Sequence, residues 1–353
     1  MKSLLNYSAV TAKVKAMKSR FLTEEQFKEL AFLPDVPSAV EYLRNFSAYR
    51  EIFEDYQGQD LHRGDIEKLL NLSLYRDFAS LYRFSGISQR RFLDLYFMHF
   101  EIDILKKCLR NAMSSRKSEL DLSIFGNFFK RHSRLDLVGL SEAASLPEFV
   151  EGLKGSYFYE PMKALAETGT ASLFDCESAM DRLYFVRLWR NLKHELDASE
   201  QDAVRTCIGE KIDLLNLEWI GRAAKNYSLP PEVLRSFLIP VHCRITEAEL
   251  LKMAAAGNEA ELRELLAATR YRNRLFRAEE TAGNASGSRL KPFYRRLLDS
   301  VYKSSGQKNP YSAAILNTYF YFKEEEIRKI ITAIEGIRYQ LGGNEILSCL
   351  AES

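Results

Sequence analysis

The chain has 353 residues, 46% of them hydrophobic, and a formal net charge of +2 from 50 basic and 48 acidic side chains. That composition excludes wholesale disorder, and the balanced charge gives no overall field to draw in a phosphate backbone, so no nucleic-acid partner is expected. No apolar run reaches the ~20 residues of a membrane span, and scarce Gly and Pro beside 22 Phe and 18 Tyr point to an all-α fold of long packed helices.

The opening segment, MKSLLNYSAVTAKVKAMKSR, lacks the apolar core of a signal peptide and carries the basic residues Lys13, Lys15, Lys18 and Arg20. A protein of the cytoplasmic side is expected. Helix starts are marked by capping boxes, in which a short polar residue and an acid or amide three positions on cap each other's orphan amides. Thr23 with Gln26, Ser38 with Glu41, Ser145 with Glu148, Thr246 with Glu249 and Asn258 with Glu261 fit. Apolar residues then recur in steps of three and four. Leu93, Phe97, Phe100, Ile104, Cys108 and Met113 make one stripe, and Val204, Ile208, Ile212, Leu215, Trp219 and Ala223 make another. No stretch alternates with period two, so no sheet is expected. Residues 279–288, EETAGNASGS, read as a mobile loop, followed by the basic cluster Arg289, Lys291, Arg295 and Arg296.

Two landmarks repeat in the same order. Ser38, Ser145 and Asn258 each precede a helix-like segment that ends in a small hydroxyl, one residue and an aromatic: Ser47-Ala-Tyr49, Ser156-Tyr-Phe158 and Thr269-Arg-Tyr271. Farther on come an acid, an aliphatic two later and a long polar side chain: Asp103-Ile-Leu105-Lys106, Asp213-Leu-Leu215-Asn216 and Glu325-Glu-Ile327-Arg328. Both landmarks recur at about 110 residues, the period of a domain-sized helical module present three times. The corresponding divisions are 1–120, 121–230 and 231–353.

Catalytic chemistry is hard to find. There is no G-x-x-x-x-G-K-[ST] loop, no G-x-S-x-G elbow, and no second histidine to complete His194-Glu195 as H-E-x-x-H. His62, His99, His132, His194 and His242 are isolated in sequence, and the five cysteines are scattered and never spaced as C-x-x-C. The acids Glu101, Asp103 and Glu324 to Glu326 sit on amphipathic helices, where solvated faces and ion pairs are the ordinary use. No catalytic, cofactor or metal residue is assigned.

The end of the third copy, Tyr319-Phe-Tyr-Phe-Lys323-Glu324-Glu-Glu326-Ile327-Arg-Lys-Ile330 followed by Glu335-Gly336, is similar to the C-terminal signature of the rotor-socket subunit of V-type and A-type ATPases. This family is lettered C in archaeal and bacterial complexes and d in eukaryotic ones. Lys211-Ile-Asp213-Leu-Leu-Asn216-Leu217 resembles its central helix, and Tyr7 through Leu30 its usual start. Arg328 departs from the Asn common after the K-E-x-E-I run. The resemblance implies three similar helical bundles around a pseudo-threefold axis, forming a funnel between the central stalk and the membrane proteolipid ring. It implies torque transfer without nucleotide binding or catalysis, a peripheral position, and a monomer when isolated. The candidate stalk-facing residues are Asp103, Lys106, Asp213, Asn216, Glu325 and Arg328, whose other reading is interhelical ion pairing. Arg289, Lys291, Arg295 and Arg296 are the candidate ring-facing set. The alternatives are a stand-alone scaffold that binds acidic partners or nucleic acid through its basic clusters, and a helical enzyme with an acid pair.

Overall fold

The computed structural model describes residues 2–56, 61–114, 125–226, 231–273 and 290–352. Among them every regular element is a helix, as the composition requires. In chain order these are α1 (Lys2–Lys18), α2 (Glu24–Ala31), α3 (Val36–Arg44), α4 (Arg63–Phe84), α5 (Ile87–Met113), α6 (Gly126–His132), α7 (Leu137–Glu142), α8 (Leu146–Gly152) and α9 (Tyr159–Glu167). They continue with α10 (Leu173–Glu195), α11 (Ala198–Asn226), α12 (Pro231–Phe237), α13 (Glu247–Ala254), α14 (Glu259–Ala267), α15 (Leu290–Lys308), α16 (Ala313–Arg338) and α17 (Gly343–Glu352). The loop expected at 279–288 lies outside the described residues, and so does Arg289.

Thr23 and Thr246 form the expected capping boxes, and Ser145 and Asn258 accept from the third helical amide. Ser38 does not cap. Asp35 does, accepting from the Ser38 amide at 2.8 Å, and Pro37 sits in the first turn where its missing N–H costs nothing. The true caps Asp35, Ser145 and Asn258 are therefore 110 and 113 residues apart, a more even period than the one counted from Ser38. Ser172 with Asp175 forms a further box that precedes α10. In α5 the stripe from Leu93 to Cys108 is buried, with Met113 half-buried at its end. In α11, Leu215 and Trp219 are only half-buried, and Leu214, Leu217 and Ile220 take the core positions instead. Such a long helix has several packing faces, and one stripe does not describe it.

The chain divides into two compact units. The first joins both ends, residues 1–90 with 302–353, and the second comprises residues 91–301. The divisions fall inside α5 and α15. In the first unit α16 is the central element, packed by α1, α2, α3, α4 and α17. Aromatic side chains fill the space around it: Phe21 lies 5.5 Å from Tyr319, Phe78 5.7 Å from Phe320, and Tyr302 stacks on Tyr321 at 3.9 Å. In the second unit α10 packs on α9, α11 and α12, and α11 on α13 and α14.

Gly336 lets α17 lie close against α16. A Cβ there would stand 2.7 Å from Ile346 Cγ1, inside any van der Waals contact. Gly336→Val is expected to destabilise the first unit by about 1–3 kcal/mol through overpacking. Gly336→Ala should cost less, because alanine regains roughly 1 kcal/mol of helix propensity. Urea unfolding of the two variants measures the difference.

Candidate partner interface

The three acid–aliphatic–polar landmarks lie on the long helices α5, α11 and α16, and the structure treats each differently. On α5, Asp103 is about half exposed, with His99 Nε2 3.8 Å away. Lys106 is a turn along and donates to Asp181 of α10 at 2.8 Å. Burial alone would lower the Lys106 pKa, but Asp181 and Asp103 outweigh it and the net shift is upward. Arg110 repeats this pattern one turn later with Glu177 at 2.5 Å, so α5 is bound to α10 by two successive ion pairs.

On α11 the landmark faces inward. Asp213 accepts from the backbone amides of Cys243 (3.2 Å), Arg244 (2.7 Å) and Ile245 (3.3 Å), and from the Tyr271 hydroxyl at 3.1 Å. Asn216 pairs with Ile239 as a backbone unit would: its Nδ2 donates to the carbonyl at 3.0 Å and its Oδ1 accepts from the amide at 2.9 Å. Glu210, fully buried, takes the Arg244 guanidinium at 2.5 Å. Two polar side chains of one helix, Asp213 and Asn216, thus satisfy the irregular backbone between α12 and α13, which would otherwise be buried with open donors, and Glu210 fixes the Arg244 side chain beside it. Asp213 and Asn216 are 2% and 1% exposed. In the isolated chain they act as struts beneath the surface.

On α16, half-buried Glu325 pairs with exposed Arg328. The inward acid is its neighbour Glu326, which accepts from the Leu22 amide at 2.7 Å, the Tyr49 hydroxyl at 2.6 Å and Lys323 Nζ at 3.1 Å. Lys323 also donates to the Tyr49 oxygen at 2.9 Å. One turn back, Tyr319 donates to Asp77 of α4 at 2.6 Å. Burial raises the Asp77 pKa, opposed by the Lys323 charge and the Tyr319 hydrogen bond. Sequence reasoning missed Lys323, Glu326, Asp77 and Tyr319 as a cluster. Three consecutive glutamates hid which one turns inward.

The hydroxyl–x–aromatic landmark explains both pairings. Tyr49, Phe158 and Tyr271 are all 0% exposed. Ser156 Oγ and Thr269 Oγ1 accept from the amides of Phe158 and Tyr271, a local turn that drives the aromatic into the core. The two tyrosines present hydroxyls to a buried carboxylate, Tyr49 to Glu326 and Tyr271 to Asp213. Phe158 has no hydroxyl, and on α5 the corresponding acid, Asp103, stays at the surface.

The proposed ring-facing residues are less fully placed. Lys291 lies in the first turn of α15, Arg295 is half-buried and Arg296 is exposed. Among the described residues no group of His, Cys, Asp and Glu could hold a metal ion. Among them, too, no helix is long and apolar enough to cross a membrane.

Burial pushes Asp213 up to about 6, although its four donors pull the other way. The folded state therefore binds a proton that the unfolded chain, at about 3.8, does not hold between those pH values. The stabilisation is complete below about 4 and is lost as pH rises through about 6. Relative to Asp213→Asn, the wild type should gain about 1 kcal/mol between pH 7 and 5. Parallel stability–pH curves for the two proteins would contradict this.

Similarity to known proteins agrees with the end-to-end pattern of landmarks. The sequence model of the family described as ATP synthase (C/AC39) subunit matches residues 10–349. The C subunit of the A-type ATP synthase of Pyrococcus horikoshii is 24% identical over 330 residues, covering 92% of this chain and 84% of the relative. Its namesake from Methanocaldococcus jannaschii is 22% identical across 98% of this chain and 86% of the relative. That of Methanococcoides burtonii is 26% identical over 251 residues, 70% of this chain and 67% of the relative. With nearly its whole length matched, the chain belongs to the ATP synthase (C/AC39) subunit family.

Proposed function

We propose that this chain is a non-catalytic socket subunit of a rotary ATPase, joining the central stalk to the membrane proteolipid ring and passing torque between them. The family match over residues 10–349 carries this reading. The repeat at about 110 residues fits three related helical modules, and we take these to form a funnel around a pseudo-threefold axis. A torque-bearing part must not deform under load. Close packing and the hydrogen-bonded buried acids Asp213 and Glu326 limit the alternative arrangements a long helix can take.

In this reading the landmarks divide the work. The exposed charges Asp103 and Arg328, with Glu325 and Lys106 beside them, meet the stalk, while Asp213 and Asn216 hold the backbone behind them. A polar socket suits a joint that comes apart, since an open apolar mouth would aggregate. Arg295 and Arg296, with Lys291 and Arg289, are the ring-facing candidates. The protein sits peripherally on the cytoplasmic side, one copy per complex.

Affinity capture from mildly solubilised membranes, with the full chain as bait, tests the reading. Co-recovery of stalk subunits and a small, very apolar ring protein is expected. The double charge reversal Asp103→Lys with Arg328→Glu should reduce stalk recovery roughly tenfold and leave the helical content unchanged. Recovery of nucleic acid, or of nothing from membranes, would favour the stand-alone scaffold instead.

A further inference from the structure

The first helix carries a face that its own unit leaves open. Leu5 is 77% exposed, and Ala9, Ala12 and Ala16 follow it at helical spacing, all exposed. Lys13 and Lys15 flank this stripe on opposite sides. At its N-terminal end the turn between α4 and α5 adds Phe84, 50% exposed, and Ile87, 78% exposed. The two elements are tied together. Gln89 Nε2 donates to the Asn6 carbonyl at 2.8 Å, and the Lys13 ammonium lies 5.4 Å from the Phe84 ring centroid. Arg83 and Arg90 bracket the turn, and Arg90 is fixed by donating to the Tyr82 carbonyl at 3.0 Å.

Positive charge predominates on this face, with exposed Asp94, one turn beyond Arg90, the nearest acid on α5. Residues 1–23 contain no Asp or Glu, and neither do residues 78–93. Among the described residues Lys13, Lys15, Arg83 and Arg90 pair with no carboxylate. Farther along α1, burial and the neighbouring Lys303 both lower the Lys18 pKa, so positive potential extends toward that end.

Protruding apolar tips suit a soft surface better than a rigid protein groove, because peptide sites are usually concave and receive the partner's side chains. A helix whose apolar stripe is flanked by lysines matches the geometry of an interfacial helix. Its apolar side chains enter the headgroup layer while the long cationic stems reach phosphates. We propose that this face of the first unit rests directly on an anionic lipid surface. Leu5, Phe84 and Ile87 enter between headgroups, and Lys13, Lys15, Arg83 and Arg90 engage lipid phosphates. The contact needs no other protein, so it stands apart from the rotary-ATPase reading.

Vesicle flotation of the purified full chain is the test. Vesicles of phosphatidylcholine with about one-quarter phosphatidylglycerol should carry the protein, since each cation near an anionic surface is worth roughly fivefold in partitioning. Binding should weaken with salt, and pure phosphatidylcholine vesicles should leave the protein behind. The double variant Leu5→Asp with Ile87→Asp alters only exposed positions and should lose binding tenfold or more, with circular dichroism unchanged. Val138→Asp, at an exposed apolar site in the other unit, should bind like the wild type. No flotation with anionic vesicles, equal binding to neutral ones, or undiminished binding by the double variant overturns the proposal. So does a result in which the double variant loses only an acidic soluble protein from the capture experiment, with no vesicle binding by either form.

Discussion

A hydroxyl donated to a buried carboxylate is the interaction on which each unit turns. In the first unit Tyr49, just after α3, reaches Glu326 on α16, nearly the whole chain away in sequence. In the second, Tyr271 just after α14 reaches Asp213 on α11. A carboxylate buried without partners costs several kcal/mol, and removing one member of a buried ionic cluster typically costs about 3–5 kcal/mol. The acids therefore hold their helices in one rotational setting: any slip would strand a charge. Around Glu326 the Leu22 amide and Lys323 complete the set of donors, and Thr11 adds a bond to the Pro310 carbonyl. The two ends of the chain thus fold as one body.

This arrangement has consequences for function. Struts fixed from below leave the outer faces of the long helices free to carry exchangeable charge, and Asp103 and Arg328 are there. The inner residues are specified by the need to satisfy buried backbone, the outer ones by whatever they meet. The open face of α1 adds a third kind of surface, apolar tips among predominantly cationic side chains.

The sequence made the helical class, four of the five caps and the α5 stripe legible, because local physics decides each of them. The family resemblance was legible too, through residues spread from Tyr7 to Gly336. What was illegible depended on three-dimensional partners. Ser38 and Asp35 are equally good caps on paper, and only the first turn containing Pro37 distinguishes them. Among Glu324, Glu325 and Glu326 no periodicity marks the inward acid, because Lys323 and Glu326 occupy core positions that a hydrophobic pattern reads as polar surface. That Asp213 and Asn216 turn inward was illegible because polar groups on a helix usually face solvent. Here they face a buried stretch of irregular backbone that the sequence does not announce.

Native-state amide exchange on wild type and Tyr49→Phe reads the joint between the chain ends most directly. Losing the hydroxyl leaves Glu326 and Lys323 short of a partner in the core, so protection should fall together in α16 and in α1 through α3, by about tenfold or more for the cost of one buried hydrogen bond. A loss confined to the residues beside Tyr49, with α16 as protected as before, would mean that the other contacts between the two ends suffice and that the hydroxyl–carboxylate bond is incidental.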